Sequence, residues 1–226
     1  MSSTYRPRRS VLYMPAANQR ALEKAKEIDA DALIFDLEDA VAPDSKEVAR
    51  EQACAAASSA GYGTRELTIR CNGLDTPWGH DDILAAASAA PAAVVIPKVD
   101  GPEYLDEISN LLDSGGAPPS MQIWAMVETP VGILNVNQIA QHERMSVMVM
   151  GTNDMAKELR ASITTDRQAL LPHLATCLLS ARAAGISILD GVFNDIKDES
   201  GFTSVCIQGA QTVSYTHLTL PTNREV

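Results

Sequence analysis

Two carboxylates in this chain stand where a carboxylate is costly. Glu128 follows directly on the apolar run IWAMV, and Asp154 closes the segment Gly151-Thr152-Asn153-Asp154 behind the apolar run SVMVM. Burying an unpaired carboxylate costs on the order of several kcal/mol, so a cation is expected beside the pair. Two hard oxygen donors from neighbouring strands, with room left for water and substrate, suit Mg2+. The competing reading is an ion pair with Arg70 or Lys98, because structural ion-pair networks occupy such places too. Zinc has no cage here: Cys54, Cys71, Cys177 and Cys206 form no CxxC pair, and the four histidines are scattered.

Arg70 closes the run ELTIR. Its planar fork matches a carboxylate, either that of a substrate or that of Asp36 or Glu38. Asp36, Glu38 and Asp39 end another apolar run, ALIFDLED. Alternation along a strand puts Asp36 and Glu38 on one face and turns Asp39 toward the loop. These three are expected to orient metal-bound water or Arg70 from behind the metal site. Lys98, in IPK, is as consistent with a structural role as with a catalytic one.

The elements that must position these groups alternate along the chain. Strands are predicted at 10–14, 32–37, 66–71, 93–97, 122–127, 146–150, 186–190 and 203–207. Helices are predicted at 18–28 with Asn18 as N-cap, at 45–58 with Ser45 as a possible cap, and near 79–89, 102–113, 131–141 and 166–184. Several strand runs are almost continuously apolar, as parallel strands buried on both faces must be. Strict β/α alternation predicts a parallel α/β sheet, and eight repeats favour closure into a barrel. Six predicted strands deliver ionisable groups at their C-terminal ends, the rim where barrels carry their sites. No linker divides the chain.

Composition narrows the function. The 226 residues are 46% hydrophobic and 21% charged, with a net charge of -11. A uniformly acidic surface repels phosphate backbones, so no nucleic-acid partner is expected. Positive charge gathers early, at Arg6, Arg8, Arg9, Arg20, Lys24 and Lys26. That cluster is either a solvated arm and helix face or a site for a phosphorylated ligand. MSSTYRPRRS lacks the apolar core of a secretory signal, and no apolar run reaches about 18–20 residues, so a cytoplasmic protein without a membrane partner is expected. GxGxxG, GKS and GxSxG motifs are absent.

FDLEDAV at 35–41, IRCNG at 69–73, IPKV at 96–99, VETPVGI at 127–133, GTNDMAKEL at 151–159 and LDGVFNDIKDESGF at 189–202 stand in one order. Together they resemble the HpcH/HpaI aldolase–citrate lyase β-subunit family, most nearly its citrate lyase β-like branch with malyl-CoA and citramalyl-CoA lyases. The resemblance implies a TIM (β/α)8 barrel and Mg2+. It implies reversible carbon–carbon cleavage of a 3-hydroxyacyl thioester to an acyl-CoA and a 2-oxo acid. By position it makes Glu128 and Asp154 the metal ligands and Arg70 the grip on the substrate carboxylate. It assigns Arg20 and Lys24 to CoA phosphates, and it implies a homotrimer or homohexamer. The same barrel could serve an acyl-CoA thioesterase or an aldolase of non-CoA acids.

The end departs from the family pattern. Where relatives carry an Ile-His-Pro-like run near the eighth strand, this chain reads Ile207-Gln208-Gly209. From Val213 the run VSYTHLTLPTNREV resembles the in-frame translation of a sequencing adapter. The expectation is a barrel over 1–212, truncated after an eighth strand at 203–207, and a non-native tail over 213–226. The general base would then lie outside this chain.

Overall fold

A computed structural model describes residues 6–164, 166–195, 197–212 and 218–220. The strands are β1 (Ser10–Pro15), β2 (Ala32–Asp36), β3 (Glu66–Arg70), β4 (Ala93–Ile96), β5 (Gln122–Val127), β6 (Met145–Met150), β7 (Ser187–Leu189) and β8 (Leu218–Leu220). Every neighbouring pair is parallel, in the order β7-β6-β5-β4-β3-β2-β1-β8. The helices are α1 (Gln19–Ala25), α2 (Lys46–Ala57), α3 (Gly79–Ala89), α4 (Pro102–Ser114), α5 (Pro130–Leu134), α6 (Val136–Ala140), α7 (Thr152–Glu158), α8 (Leu171–Ala184) and α9 (Glu199–Thr212). No ladder joins β7 to β8 among the described residues, so hydrogen bonding does not close the ring.

Strands β2, β4, β5 and β6 are buried on both faces, which explains their nearly continuous apolar runs. One face packs under the helices: Leu33 and Phe35 of β2, Ile69 of β3, Val94 and Ile96 of β4, and Ile123 and Ala125 of β5. The other face turns inward. Val11, Ala32, Ile34, Ala93, Val95, Trp124, Met126, Val147, Val149 and Leu189 form a single buried cluster. Residues from β1 and β7 meet in it, so the sheet curls toward a barrel.

The N-terminal mouth of that barrel is plugged. Arg8, just before β1, grips the Glu66 carboxylate at the start of β3 through Nε and Nη2, at 2.5 and 2.8 Å. Its Nη1 donates to Ser187 Oγ at the start of β7, and its guanidinium lies 5.0 Å from the centre of the Trp124 ring. Arg8 is therefore a buried structural group and not part of a solvated arm.

The helices carry two refinements and two corrections. Asn18 caps α1 as expected, accepting from Ala21 N–H at 3.1 Å. Ser45 makes no side-chain cap bond; a 3-10 turn at Pro43–Ser45 leads into α2 instead. The helix predicted near 131–141 is two short helices meeting at Asn135, and α7 was not foreseen. The strand predicted at 203–207 is wrong: those residues lie inside α9. Buried positions there fall at Gly201, Val205 and Gly209 while Thr203 and Ile207 between them are exposed; a strand would put all five on one face, a helix does not. Thr203 and Ser204 donate their hydroxyls to the carbonyls of Glu199 and Ser200, which helical geometry permits. Ile207-Gln208-Gly209 is consequently a stretch of helix and not the end of a strand. The eighth strand is Leu218–Leu220, paired with Ser10–Leu12; the rest of the suspected tail lies outside the described residues. No described helix is long and apolar enough to cross a membrane.

Candidate active site

The inward parity of the strands brings the polar groups together. Inward positions on β2 run Ala32, Ile34, Asp36; on β5 they run Trp124 and Met126, then Glu128 one residue past the strand. Asp36 and Arg70 are direct partners across the β2–β3 ladder. Arg70 Nε and Nη2 donate to the two oxygens of Asp36, each at 2.6 Å. Asp36 also accepts from Glu38 N–H at 2.9 Å and Ala40 N–H at 3.1 Å. It is fully committed to holding Arg70 and the turn behind β2.

The remaining corner of the fork, Nη1, lies 2.9 Å from Glu38 and 3.6 Å from Asp39. Below it the Tyr13 ring stands 4.8 Å from the guanidinium carbon, a cation–π contact, and Met126 Sδ is 3.8 Å from Nη1. Burial opposes the charge on Arg70, but Asp36 outweighs it and keeps the group ionised. Burial pushes the Glu38 carboxyl up to about 7 despite Arg70 beside it. Tyr13 is driven upward by burial and stays a neutral hydroxyl. The alternative pairing of Arg70 with Asp36 and Glu38 is thus real, and it coexists with Arg70 facing the cavity.

Glu128 is 2% exposed. Its Oε1 accepts from Lys98 N–H at 2.8 Å, while the Lys98 side chain is exposed. Lys98 contributes its backbone, held in the left-handed region at φ 48°. Gly151 continues the inward parity of β6, and a Cβ there would overlap the Glu128 carboxylate, so only glycine fits. Asp154 sits in the first turn of α7. Burial pushes Glu128 up to about 7; the Lys98 amide works against this, and the Asp154 charge adds to it. Neither carboxylate has an ion pair among the described residues, since Arg70 is engaged elsewhere. No described cluster of three or more His, Cys, Asp or Glu is arranged to hold a metal. Two carboxylates that line one cavity without an ion pair among the described residues fit a hard divalent cation that keeps water and substrate as its other ligands.

A cavity of about 450 Å³ joins these groups, lined by Tyr13, Asp36, Asp39, Arg70, Glu128 and Asp154 among others. Arg20 and Lys24 are on α1 and do not line it; Arg20 is exposed and Lys24 half-buried. Sequence reasoning missed Tyr13, Thr152, Asn153 and Asn194, although the last three fall inside the GTND and FND motifs. It also missed Lys46. That side chain is buried and donates to Leu37 O and Glu38 O at 2.7 Å and to Asn72 Oδ1 at 2.8 Å, fixing the turn that carries Glu38.

The sequence profile of the HpcH/HpaI aldolase/citrate lyase family matches residues 9–220. The chain belongs to this family. It is 48% identical over 209 residues to a (3S)-malyl-CoA thioesterase from Cereibacter sphaeroides, covering 92% of this chain and 71% of that one. It is 34% identical over 203 residues to citrate lyase subunit beta from Escherichia coli, covering 87% and 67%. Among solved structures it resembles the protein CitE from Mycobacterium tuberculosis in complex with magnesium, acetoacetate and coenzyme A. That match has a TM-score of 0.79, 25% identity, and covers 96% of this chain and 77% of that one. Family membership places the alternating α/β architecture among barrel-like folds.

Proposed function

We propose that this family member is a Mg2+-dependent enzyme that cleaves, reversibly, the carbon–carbon bond of a malyl-CoA or citramalyl-CoA type 3-hydroxyacyl thioester. The products would be an acyl-CoA and a small 2-oxo acid. The observation that carries the reading is the arrangement of one cavity lined by a carboxylate grip, Arg70, and by Glu128 and Asp154, which have no ion pair among the described residues. Mg2+ bound by Glu128 and Asp154 would polarise the substrate oxygen next to the breaking bond. Arg70 orients the substrate carboxylate and offsets its charge, and Asp36 fixes the guanidinium plane so that little order is lost on binding. Tyr13 and Met126 give the cavity an apolar floor that strengthens both contacts by excluding water. Arg20, in the first turn of α1, and Lys24 one turn on are assigned to the CoA phosphates. The reading includes a (β/α)8 framework and a cytoplasmic homo-oligomer.

A thioesterase is the second reading, and the Cereibacter relative's name favours it. Malyl-CoA separates the two. A lyase gives acetyl-CoA and glyoxylate, followed as the phenylhydrazone; a thioesterase gives malate and free CoA thiol. Turnover that persists undiminished in EDTA would remove the cation from either reading.

A further inference from the structure

Asp154 stands on a short support. α7 is seven residues long, and its first turn, Thr152 to Asp154, is braced from the side by the segment that follows β7. Gly191 lies flat against Thr152, where any Cβ would overlap the threonine side chain. Asn153 and Asn194 exchange amide hydrogen bonds: Asn194 Nδ2 donates at 2.9 Å and Asn153 Nδ2 at 3.3 Å.

The brace is itself anchored at its root. Asp190 Oδ1 accepts from Gly191 N–H at 2.7 Å and from Arg167 Nη1 at 2.7 Å. Arg167 Nε donates to Gln208 Oε1 of α9 at 2.8 Å, and Gln208 Nε2 donates to Asp166 O at 2.7 Å. Arg167 is 6% exposed and Asp190 2%. Arg167 adopts φ 52°, strained for a side chain of its size. Two atoms of the pair, Arg167 Nη2 and Asp190 Oδ2, are buried without a hydrogen-bond partner among the described residues.

A buried ion pair with unmet atoms and a strained backbone is a poor source of stability, since desolvation cancels much of its attraction. Its location gives it a different use. We propose that Arg167 and Asp190 are positioning residues that set where Asp154 sits, through the Gly191–Thr152 and Asn194–Asn153 contacts, and so set the affinity of the site for its divalent cation. The inference rests on the reading of Glu128 and Asp154 as metal ligands.

The test is Mn2+ binding to the whole chain without substrate, read by electron paramagnetic resonance, with circular dichroism and melting curves beside it. Outer partners of metal ligands are worth about 10–100-fold in metal affinity. Arg167→Lys, which keeps charge and loses the fork, is expected to weaken Mn2+ binding about 10-fold, and Arg167→Met about 100-fold. Asn194→Ala removes the exposed end of the brace at the cavity rim and leaves the buried Arg167–Asp190 pair intact, and it is expected to weaken Mn2+ about 10-fold with an unchanged melting temperature. A merely structural pair would lower the melting temperature and leave the Kd of folded protein unchanged. Parent-like Mn2+ affinity in folded Arg167→Lys, or in Asn194→Ala if the former does not fold, overturns the proposal. Glu128→Gln is run in parallel: if it too leaves Mn2+ binding unchanged, the metal site itself is misassigned.

Discussion

Adding one methyl group at Gly151 tests the cavity at its tightest point. Gly151 has φ -84°, so alanine meets no backbone penalty there. The cost is purely one of space. The new Cβ would overlap Oε2 and Cβ of Glu128 and stand 3.0 Å from its Cδ. Ordinary contact is about 3.5–4.0 Å between carbons, so Glu128 or the start of α7 must shift by about 1 Å. Overpacking of this kind costs about 1–3 kcal/mol of stability. The larger effect is on chemistry, because a misplacement of about 1 Å can cost about 100-fold in rate. Gly151→Ala is therefore expected to melt a few degrees lower, turn over malyl-CoA about 100-fold more slowly, and require more Mg2+ for half-maximal rate. Shortening the carboxylate by one methylene, in Gly151→Ala/Glu128→Asp, should recover part of the metal affinity that Gly151→Ala loses. Contacting sites couple in this way, by about 0.5–3 kcal/mol. A Gly151→Ala protein with parent activity and parent Mg2+ requirement would refute the placement of Glu128 against β6.

Three further outcomes follow from the same geometry. Glu128 has a carboxyl raised to about 7 by burial, so in metal-free protein its favourable contribution is complete below the ordinary carboxylate value and is lost as pH rises through about 7. Glu128→Gln should then stabilise the EDTA-treated chain at pH 8, by about 1.4 kcal/mol for every tenfold by which burial weakens the acid, and have little effect at pH 4; melting curves at the two pH values decide it. Arg70→Lys keeps a charge but loses the paired bonds to Asp36, and should raise KM for the CoA ester and lower kcat together, by about 100-fold in kcat/KM, or about 2.7 kcal/mol. Lys46→Met leaves Leu37 O, Glu38 O and Asn72 Oδ1 without their shared donor and should cost about 1–3 kcal/mol in urea unfolding.

Seven strands, β1 to β7, were legible, above all β2, β4, β5 and β6, which are buried on two faces and read as nearly unbroken apolar runs. The groups at their ends were legible because a charge interrupting such a run has few uses. What the sequence hid depends on register or backbone. Asp36 and Glu38 were legible as alternative partners of Arg70, but the geometry was not; the β2–β3 ladder sets Asp36 directly opposite Arg70. Lys98 was weighed as a side chain, but its amide N–H does the work at Glu128. TSVCI looked like a strand because threonine, valine and isoleucine favour one, yet the buried positions four apart decided for α9. Arg167 and Asp190, 23 residues apart, gave no signal of contact.

The Arg8 plug has a consequence for traffic. With Glu66, Ser187 and Trp124 gathered around Arg8 at the N-terminal end, the interior behind Tyr13 and Met126 is a dead end. A ligand of Glu128 then cannot pass through the N-terminal end and would enter and leave on the side of the C-terminal strand ends. In a reaction with two products, the fragment held deepest by Arg70 would then depart last, and the bulkier partner nearer the opening would control its exit. Inhibition by the small product should accordingly grow stronger when the larger one is abundant.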